Sequence, residues 1–245
     1  MHMKSQKTPK QAGKDNREFD KIASEFISFV AHQIKSPLTA IKGYADLVAE
    51  GHYGKISHEA HDIIVKIKAA AERALDLSHN LLDLRSIEEG KMRYSFEPAD
   101  VNQIVKGVCD ELKPLADQKR IDLIFSPSKG ETTAKVDKKA IHQVIQNLVD
   151  NAVKYTSKGW VKVSVGHEAN GIVVKVADSG RGMSKKILKI AFEKFTRDEG
   201  VYQAIRGTGL GLFIARNIVS DHKGKIWAES EGEGKGSTFF ISLKK

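Results

Sequence analysis

Four groups of residues in this sequence could do chemistry together. The first is His32, in FVAHQIKSPLTAIKGY at 29–44. An imidazole can act as nucleophile, base or metal ligand near neutral pH. The second is the pair Asn147 and Asn151 in NLVDNAVKY, four residues apart and so on one face of a helix. Amide oxygens can ligate a hard cation without adding charge; taken alone, the pair reads more readily as two solvent-facing asparagines. The third is DSGRGM at 178–183. Asp178 can accept a hydrogen bond from an exocyclic amine such as adenine N6, and Gly180 and Gly182 suit a tight loop where backbone approaches a ligand. A plain turn would read the same way. The fourth is GTGLGL at 207–212, opening a helix. Glycines there expose N–H groups, and the helix dipole favours phosphate. No Gly-Lys-Ser/Thr follows, as in a Walker A loop, and no βαβ unit with a ribose-binding acid surrounds it.

These groups need elements to hold them. Phe19, Ile22, Phe26 and Phe29, then Ile34, Leu38, Ile41, Ala45 and Val48, recur at helical steps and predict a helix from about 17 to 50. Gly51 and Gly54 end it, and Ser57 is the N-cap expected for the next helix. Along that second helix, Ala60, Ile63, Ile67, Ala70, Ala74, Leu77, Leu81 and Leu84 form a sustained heptad seam. Two helices cannot bury such seams alone, so a dimer forming a four-helix bundle is expected. Pro37 has no N–H for the carbonyl of Gln33, so a bend is expected one turn past His32.

The texture changes after Glu89-Gly90, and the domain boundary is placed near residue 89. Helices are expected over 100–119, 137–154 and 209–221. IDLIF, TAKVD, 225–230 and 237–243 read as strands, and VKVSVGHEANGIVVKVAD reads as a hairpin turning at Asn170-Gly171. Strands mixed with helices imply an α/β layer with helices packed on one sheet.

The bulk composition bounds the rest. A chain of 245 residues is long enough for two modest domains. No apolar run approaches the roughly twenty residues a membrane span needs, and no secretory signal is visible. The single cysteine, Cys109, cannot form an internal disulfide, which fits a reducing compartment. The net charge of +9 is spread and mixed with acids, so it reads as solvated surface rather than a specific nucleic-acid patch. No zinc-like Cys/His cluster occurs. Residues 1–16 are basic and polar and read as a disordered leader or linker.

Order and spacing say more than any one group. The asparagine helix, DSGRGM, FEKFTR at 192–197 and GTGLGL, within about 65 residues, resemble the ATP-binding domain of bacterial sensor histidine kinases. That domain shares its nucleotide-binding fold with gyrase and Hsp90. AHQIKSPLTAIKGY resembles the phosphoacceptor box of the same family. The resemblance implies an α+β protein: a dimeric four-helix-bundle hairpin domain over 17–89, then an α/β sandwich ATP-binding domain of the Bergerat type over 90–245.

The resemblance also implies roles. His32 accepts the γ-phosphoryl group of ATP. Asn151 coordinates Mg²⁺, and Asn147 is its helical partner near the phosphates. Lys154 and Tyr155 line the nucleotide, Asp178 reads adenine, and Gly180 and Gly182 shape that loop. Arg197 lies near the γ-phosphate. Gly207, Gly209 and Gly211, with Thr208 and Leu210 between them, form the second glycine box. DEGVYQAIR, between Arg197 and Gly207, stands at the family's ATP-lid position and is expected to be mobile without nucleotide. The implied partners are a second copy through 17–89 and the receiver domain of a separate response regulator. The implied location is the cytoplasm, as a whole protein or as the cytoplasmic part of a membrane-anchored receptor.

Two residues depart from the pattern. Gln33 stands where the commonest family pattern has Glu or Asp. Glutamine cannot take a proton at neutral pH, yet its carbonyl can accept the imidazole N–H and fix the ring tautomer. General-base help is commonly worth about 10²–10⁴-fold, whereas phosphoryl transfer rests mostly on positioning and metal electrostatics, so activity is expected to survive at a reduced level. Ser36 stands where members that dephosphorylate their partner usually carry Thr or Asn. Its hydroxyl keeps phosphatase activity open, and a local bond to backbone is the alternative use.

Overall fold

The computed structural model describes residues 30–31, 33–168, 171–196 and 208–244. The chain forms two compact units, Met1–Lys91 and Met92–Lys245.

The first unit is a helical hairpin. Helix α1 covers 33–49 and stays helical through Pro37. The turn that follows uses Gly51 and Gly54 at positive φ. Helix α2, His58–Glu88, starts at Ser57, whose side chain accepts the Ala60 N–H at 3.2 Å. Ala31, Ala45, Ala71 and Ser78 are buried between the arms. Ser78 Oγ donates to the carbonyl of Ala31 at 2.8 Å, and the ion pairs Lys42–Glu72 and Lys68–Asp46 tie the arms further along. The stripe that meets α1 thus runs through 68, 71, 72 and 78. It lies one position round from the heptad seam, whose Ile63, Ile67 and Leu77 stay 56%, 41% and 44% exposed. Small and polar side chains let the two arms approach, and Ile63, Ile67 and Leu77 of the seam are left facing outward, while Leu84 at its end is buried.

The second unit is a two-layer sandwich. A five-stranded sheet is ordered β2 (Ile121–Ser126), β4 (Gly159–Glu168), β5 (Gly171–Asp178), β7 (Ser237–Lys244), β6 (Lys225–Glu229). β2 pairs with β4 in parallel and all other pairs are antiparallel. Helices α3 (Val101–Gln118), α4 (Lys138–Tyr155) and α6 (Gly211–Asp221) cover one face, with α4 between the other two. Val161, Val163, Ile172, Val174, Val176 and Ile241 point inward and are fully buried. They face the apolar stripe Ile141, Val144, Ile145, Leu148, Val149 and Ala152 of α4. Burying one such aliphatic side chain contributes about 1.5–3 kcal/mol, so this layer fixes where the opposite face of α4 points. That opposite face carries Asn147 and Asn151.

Two features depart from the sequence expectation. The strand in TAKVD, β3 (Thr133–Val136), stays out of the main sheet and pairs with an unanticipated β1 (Glu97–Asp100). Asp100 explains this: it caps α3 and accepts the Thr132 hydroxyl at 2.5 Å, drawing the start of β3 to the helix N-terminus. A short α5 (Lys185–Ile190) follows DSGRGM. The parallel neighbour of β4 is β2, with α4 as the intervening helix on the sheet face.

No described helix is long and apolar enough to cross a membrane.

Candidate active site

β5 ends at Asp178. In register it faces Val161 on β4 and Ser237 on β7. Its side chain points into the sandwich and is 7% exposed. Oδ1 accepts the N–H of Gly180 at 2.8 Å and of Ser237 at 3.3 Å, while Oδ2 accepts nothing among the described residues. Burial pushes the carboxyl pKa up, and the two N–H bonds offset only part of that shift.

The loop after Asp178 is held by backbone. Ser179 Oγ accepts the N–H of Trp160 at 2.8 Å, the Gly234 N–H reaches the Arg181 carbonyl at 2.5 Å, and the Gly236 N–H reaches the Gly180 carbonyl at 3.1 Å. Ser230 Oγ accepts the Met183 N–H at 3.0 Å and donates to the Gly236 carbonyl at 2.7 Å. Gly182 has φ +68°, and a Cβ there would sit 2.0 Å from the carbonyl oxygen of Gly232. Only glycine fits without moving the turn at 231–236. Gly182→Ala is therefore expected to distort the loop, costing about 1–3 kcal/mol of stability for the strained φ alone, and to weaken nucleotide binding at least about tenfold. Differential scanning calorimetry and titration with a fluorescent ATP analogue check both.

A pocket opens beside this loop. Asn151, Tyr155, Asp178 and Gly182 line it, with Arg181, Met183, Ile187, Thr196, Leu212 and Phe239 completing the wall. The Asn151 amide makes no hydrogen bond among the described residues. Just past the end of α4, Thr156 is fully buried and its hydroxyl has no partner among the described residues. It lies under Gly180, whose added Cβ would stand 2.9 Å from it.

Asn147 does not line the pocket. Its Nδ2 donates to the Gly211 carbonyl at 3.3 Å and stitches α4 to the start of α6. The Lys154 ammonium pairs with Asp150 and is absent from the pocket wall. Leu210 is buried in the N-cap position of α6 and makes no capping bond with its side chain. The N–H groups of Gly211, Leu212 and Phe213 consequently meet no acceptor among the described residues. Gly209 has φ +70°, and a Cβ there would meet the Phe195 and Thr196 backbone within 2.9 Å. The Thr208 hydroxyl accepts the Leu210 N–H at 3.2 Å. Gln33 and Ser36 lie exposed on α1 in the first unit. His32, Arg197, Gly207, the leader, Asn170 and the segment DEGVYQAIR lie outside the described residues.

The sequence reading passed over the turn EGEGKG at 231–236 and Ser237. Alternating glycines were the available signal for the turn. Ser237 has none, because it meets Asp178 only through the β5–β7 register.

The pocket suits a nucleotide. Asp178 offers a buried acceptor, α6 offers unpaired N–H groups at the positive end of its dipole, and Asn151 offers an amide oxygen. No group of three His, Cys, Asp or Glu able to hold a metal occurs among the described residues. A Mg²⁺ here fits only with phosphate oxygens and water as its other ligands, the usual arrangement for that ion.

Comparison with known proteins agrees with this geometry. Residues 136–245 match the family model for histidine kinase-, DNA gyrase B- and HSP90-like ATPases. Residues 22–90 match the His Kinase A (phospho-acceptor) domain. The sensor histidine kinase WalK of Bacillus subtilis is 28% identical over 233 residues, which is 94% of this chain and 38% of WalK. The cell-division control histidine kinase PdhS of Brucella ovis is 30% identical over 224 residues, 86% of this chain and 22% of PdhS. The chain therefore spans well under half the length of either relative. Full-length ShkA, crystallised with AMPPNP, has a TM-score of 0.71 at 23% identity, covering 90% of this chain and 46% of that one, which shows a shared fold. The catalytic domain of the histidine kinase ThkA has a TM-score of 0.54 at 27% identity, covering 62% of this chain and 96% of that one. With a phospho-acceptor region and an ATPase-type region matched in this order, the chain belongs to the bacterial sensor histidine kinase family.

Proposed function

We propose that this chain is the catalytic core of a sensor histidine kinase that moves the γ-phosphoryl group of ATP to His32 and then to an aspartate in the receiver domain of a separate response regulator. The observation that carries this reading is one pocket wall holding an open Asp178 Oδ2, an unengaged Asn151 amide and the uncapped start of α6. In the first step the bond from the γ-phosphorus to the β,γ-bridging oxygen breaks and a bond to an imidazole nitrogen of His32 forms. ADP leaves, and the displaced imidazole proton passes to solvent.

The residues divide the work. Asp178 reads the base, Tyr155 packs along the nucleotide and Lys154 supplies positive charge nearby. Gly180 and Gly182 keep the base-side loop tight. Asn147, together with Gly207, Thr208, Gly209, Leu210 and Gly211, shapes the phosphate end. Arg197 stands by the γ-phosphate. Asn151 is the protein ligand for Mg²⁺, which supplies charge neutralisation for the transferring group when bound. Ser36 is the group assigned to any phosphatase activity towards the regulator. The outward-facing Ile63, Ile67 and Leu77 support a homodimer through 17–89, because they leave an apolar stripe that a second hairpin of the same pattern would cover.

Gln33 holds the imidazole tautomer but cannot act as base. Gln33→Glu is therefore expected to raise the autophosphorylation rate, by up to about 10²-fold at the lower bound of general-base help. Single-turnover labelling checks this, and an unchanged or lower rate removes the base from the account.

The deciding experiment incubates the purified chain with γ-labelled ATP and Mg²⁺ and then treats the labelled protein with acid and with alkali. A phosphohistidine loses its label in acid and keeps it in alkali. Nucleotide binding with no label would make the chain a binding module and Gln33 the cause.

A further inference from the structure

His222 is buried at the end of α6, and both its ring nitrogens are used. Nδ1 donates to the Ile218 carbonyl at 2.8 Å, and Nε2 accepts the backbone N–H of Asp137 at 3.0 Å. This pair of bonds needs the neutral ring with its proton on Nδ1. Asp137 is the N-cap of α4. One imidazole thus joins the N-cap of α4 to the last turn of α6. At mid-length of α4, the Asn147 amide joins it to Gly211, the first residue of α6. The helices that carry the candidate nucleotide groups are tied at two levels.

A third segment rests on the remote clamp. Tyr94 and Phe96 place their rings 5.0 and 4.8 Å from the imidazole, and the Tyr94 hydroxyl donates to Asp221 at 2.8 Å. The Ser95 N–H donates to Asp137 Oδ2 at 2.7 Å, while Oδ1 takes the Ala140 N–H at 3.0 Å. Burial alone would raise the Asp137 carboxyl pKa, but the N–H groups of Ala140, Ser95 and Lys139 outweigh it and hold the group below the usual carboxylate range. Residues 94–96 are among the first of the second unit. The chain leaving the hairpin therefore bears at once on both nucleotide helices.

We propose that His222 is a positioning residue for the nucleotide site, setting the spacing of α4 and α6 from the end remote to the pocket and linking it to the segment 94–96. This rests on the reading of the pocket as a nucleotide site. Two substitutions split the clamp. His222→Asn can still donate to Ile218 but falls short of Asp137. His222→Gln reaches Asp137 but gives up the bond along α6.

The experiment measures, on the full chain well below each variant's melting temperature, the dissociation constant for an ATP analogue, and KM and kcat of autophosphorylation. His222→Asn is expected to bind nucleotide about tenfold more weakly, the scale of one lost bridging hydrogen bond. His222→Gln is expected to stay within about threefold of the parent chain. KM should rise with kcat little changed. Tyr94→Phe keeps the ring and removes the hydroxyl bond to Asp221, and it is expected to weaken binding about twofold to threefold even if neither His222 variant folds. Parent-like affinity in folded His222→Asn, equal losses in Asn and Gln variants, or parent-like affinity in Tyr94→Phe when neither His222 variant folds, would overturn the proposal. A parent chain that binds no nucleotide would instead overturn the reading beneath it.

Discussion

His32→Ala is expected to reduce acid-labile labelling from γ-labelled ATP to background while leaving nucleotide affinity unchanged. The sequence holds nine histidines, so the assignment has to be tested against the others. His222 is excluded as acceptor because both nitrogens are committed inside the fold. His58 and His61 sit exposed at the start of α2, where His58 pairs with Asp62 at 3.5 Å. His142 pairs with Glu111 at 3.1 Å and His167 meets Ser128 at 3.1 Å. None of these stands within a stretch that resembles a phosphoacceptor box. Affinity should be unaffected because every described group proposed to touch nucleotide lies between Asn147 and Phe239, in the other unit. Residual label on His32→Ala would reassign the acceptor to one of the exposed histidines. Lost affinity would mean that the hairpin contributes to the nucleotide site.

Asp178→Asn is expected to lower nucleotide affinity roughly 10- to 100-fold, because a hydrogen bond to a charged acceptor is worth about 1.5–3 kcal/mol. The amide oxygen can replace Oδ1 and keep the N–H bonds of Gly180 and Ser237. The position now held by Oδ2 then becomes an NH₂ group, which repels an exocyclic amine instead of accepting from it. Stability should move the other way. Burial raises the Asp178 carboxyl pKa, so the folded chain favours the protonated form more than the unfolded chain does. The ionised group therefore costs stability above the unfolded-state pKa, and the cost grows until pH passes the raised folded-state value. At neutral pH the nucleotide-free Asp178→Asn chain should melt at the same temperature as the parent or higher. The difference should shrink as pH falls through the carboxylate range. Calorimetric melting from pH 4 to 8, together with nucleotide titration, checks both halves. Undiminished affinity would remove Asp178 as the base-reading group. A lower melting temperature at neutral pH would mean that the carboxylate's two N–H bonds outweigh its desolvation.

Such opposed effects on stability and binding are expected where a buried polar group is kept for a ligand rather than for the fold.

The sequence by itself determined the elements with strong periodicity and the residues with strong backbone demands. The α4 stripe from Ile141 to Ala152 put Asn147 and Asn151 on the open face without any knowledge of the sheet, because side-chain direction in a helix follows from a 3.6-residue repeat. The hairpin whose strands meet at Glu168 and Gly171 was legible because turn chemistry is local, and so was Gly182, which needs a positive φ. The outward position of the α2 seam was only half legible. Periodicity marks an apolar stripe, but not which neighbouring stripe meets α1. The choice fell to Ala71 and Ser78, whose small side chains allow close approach.

Tertiary structure alone decided the pairing of Asp178 with Ser237, which are 59 residues apart, and of His222 with Asp137, which are 85 apart. It also decided the exclusion of β3 from the main sheet and the bracing of Gly182 by Gly232. Each depends on strand order and on the energy of long-range packing, which a repeat of two or 3.6 residues does not encode. The chemistry-bearing residue types were written in the chain; the partners that orient them were set by which strands and helix ends became neighbours.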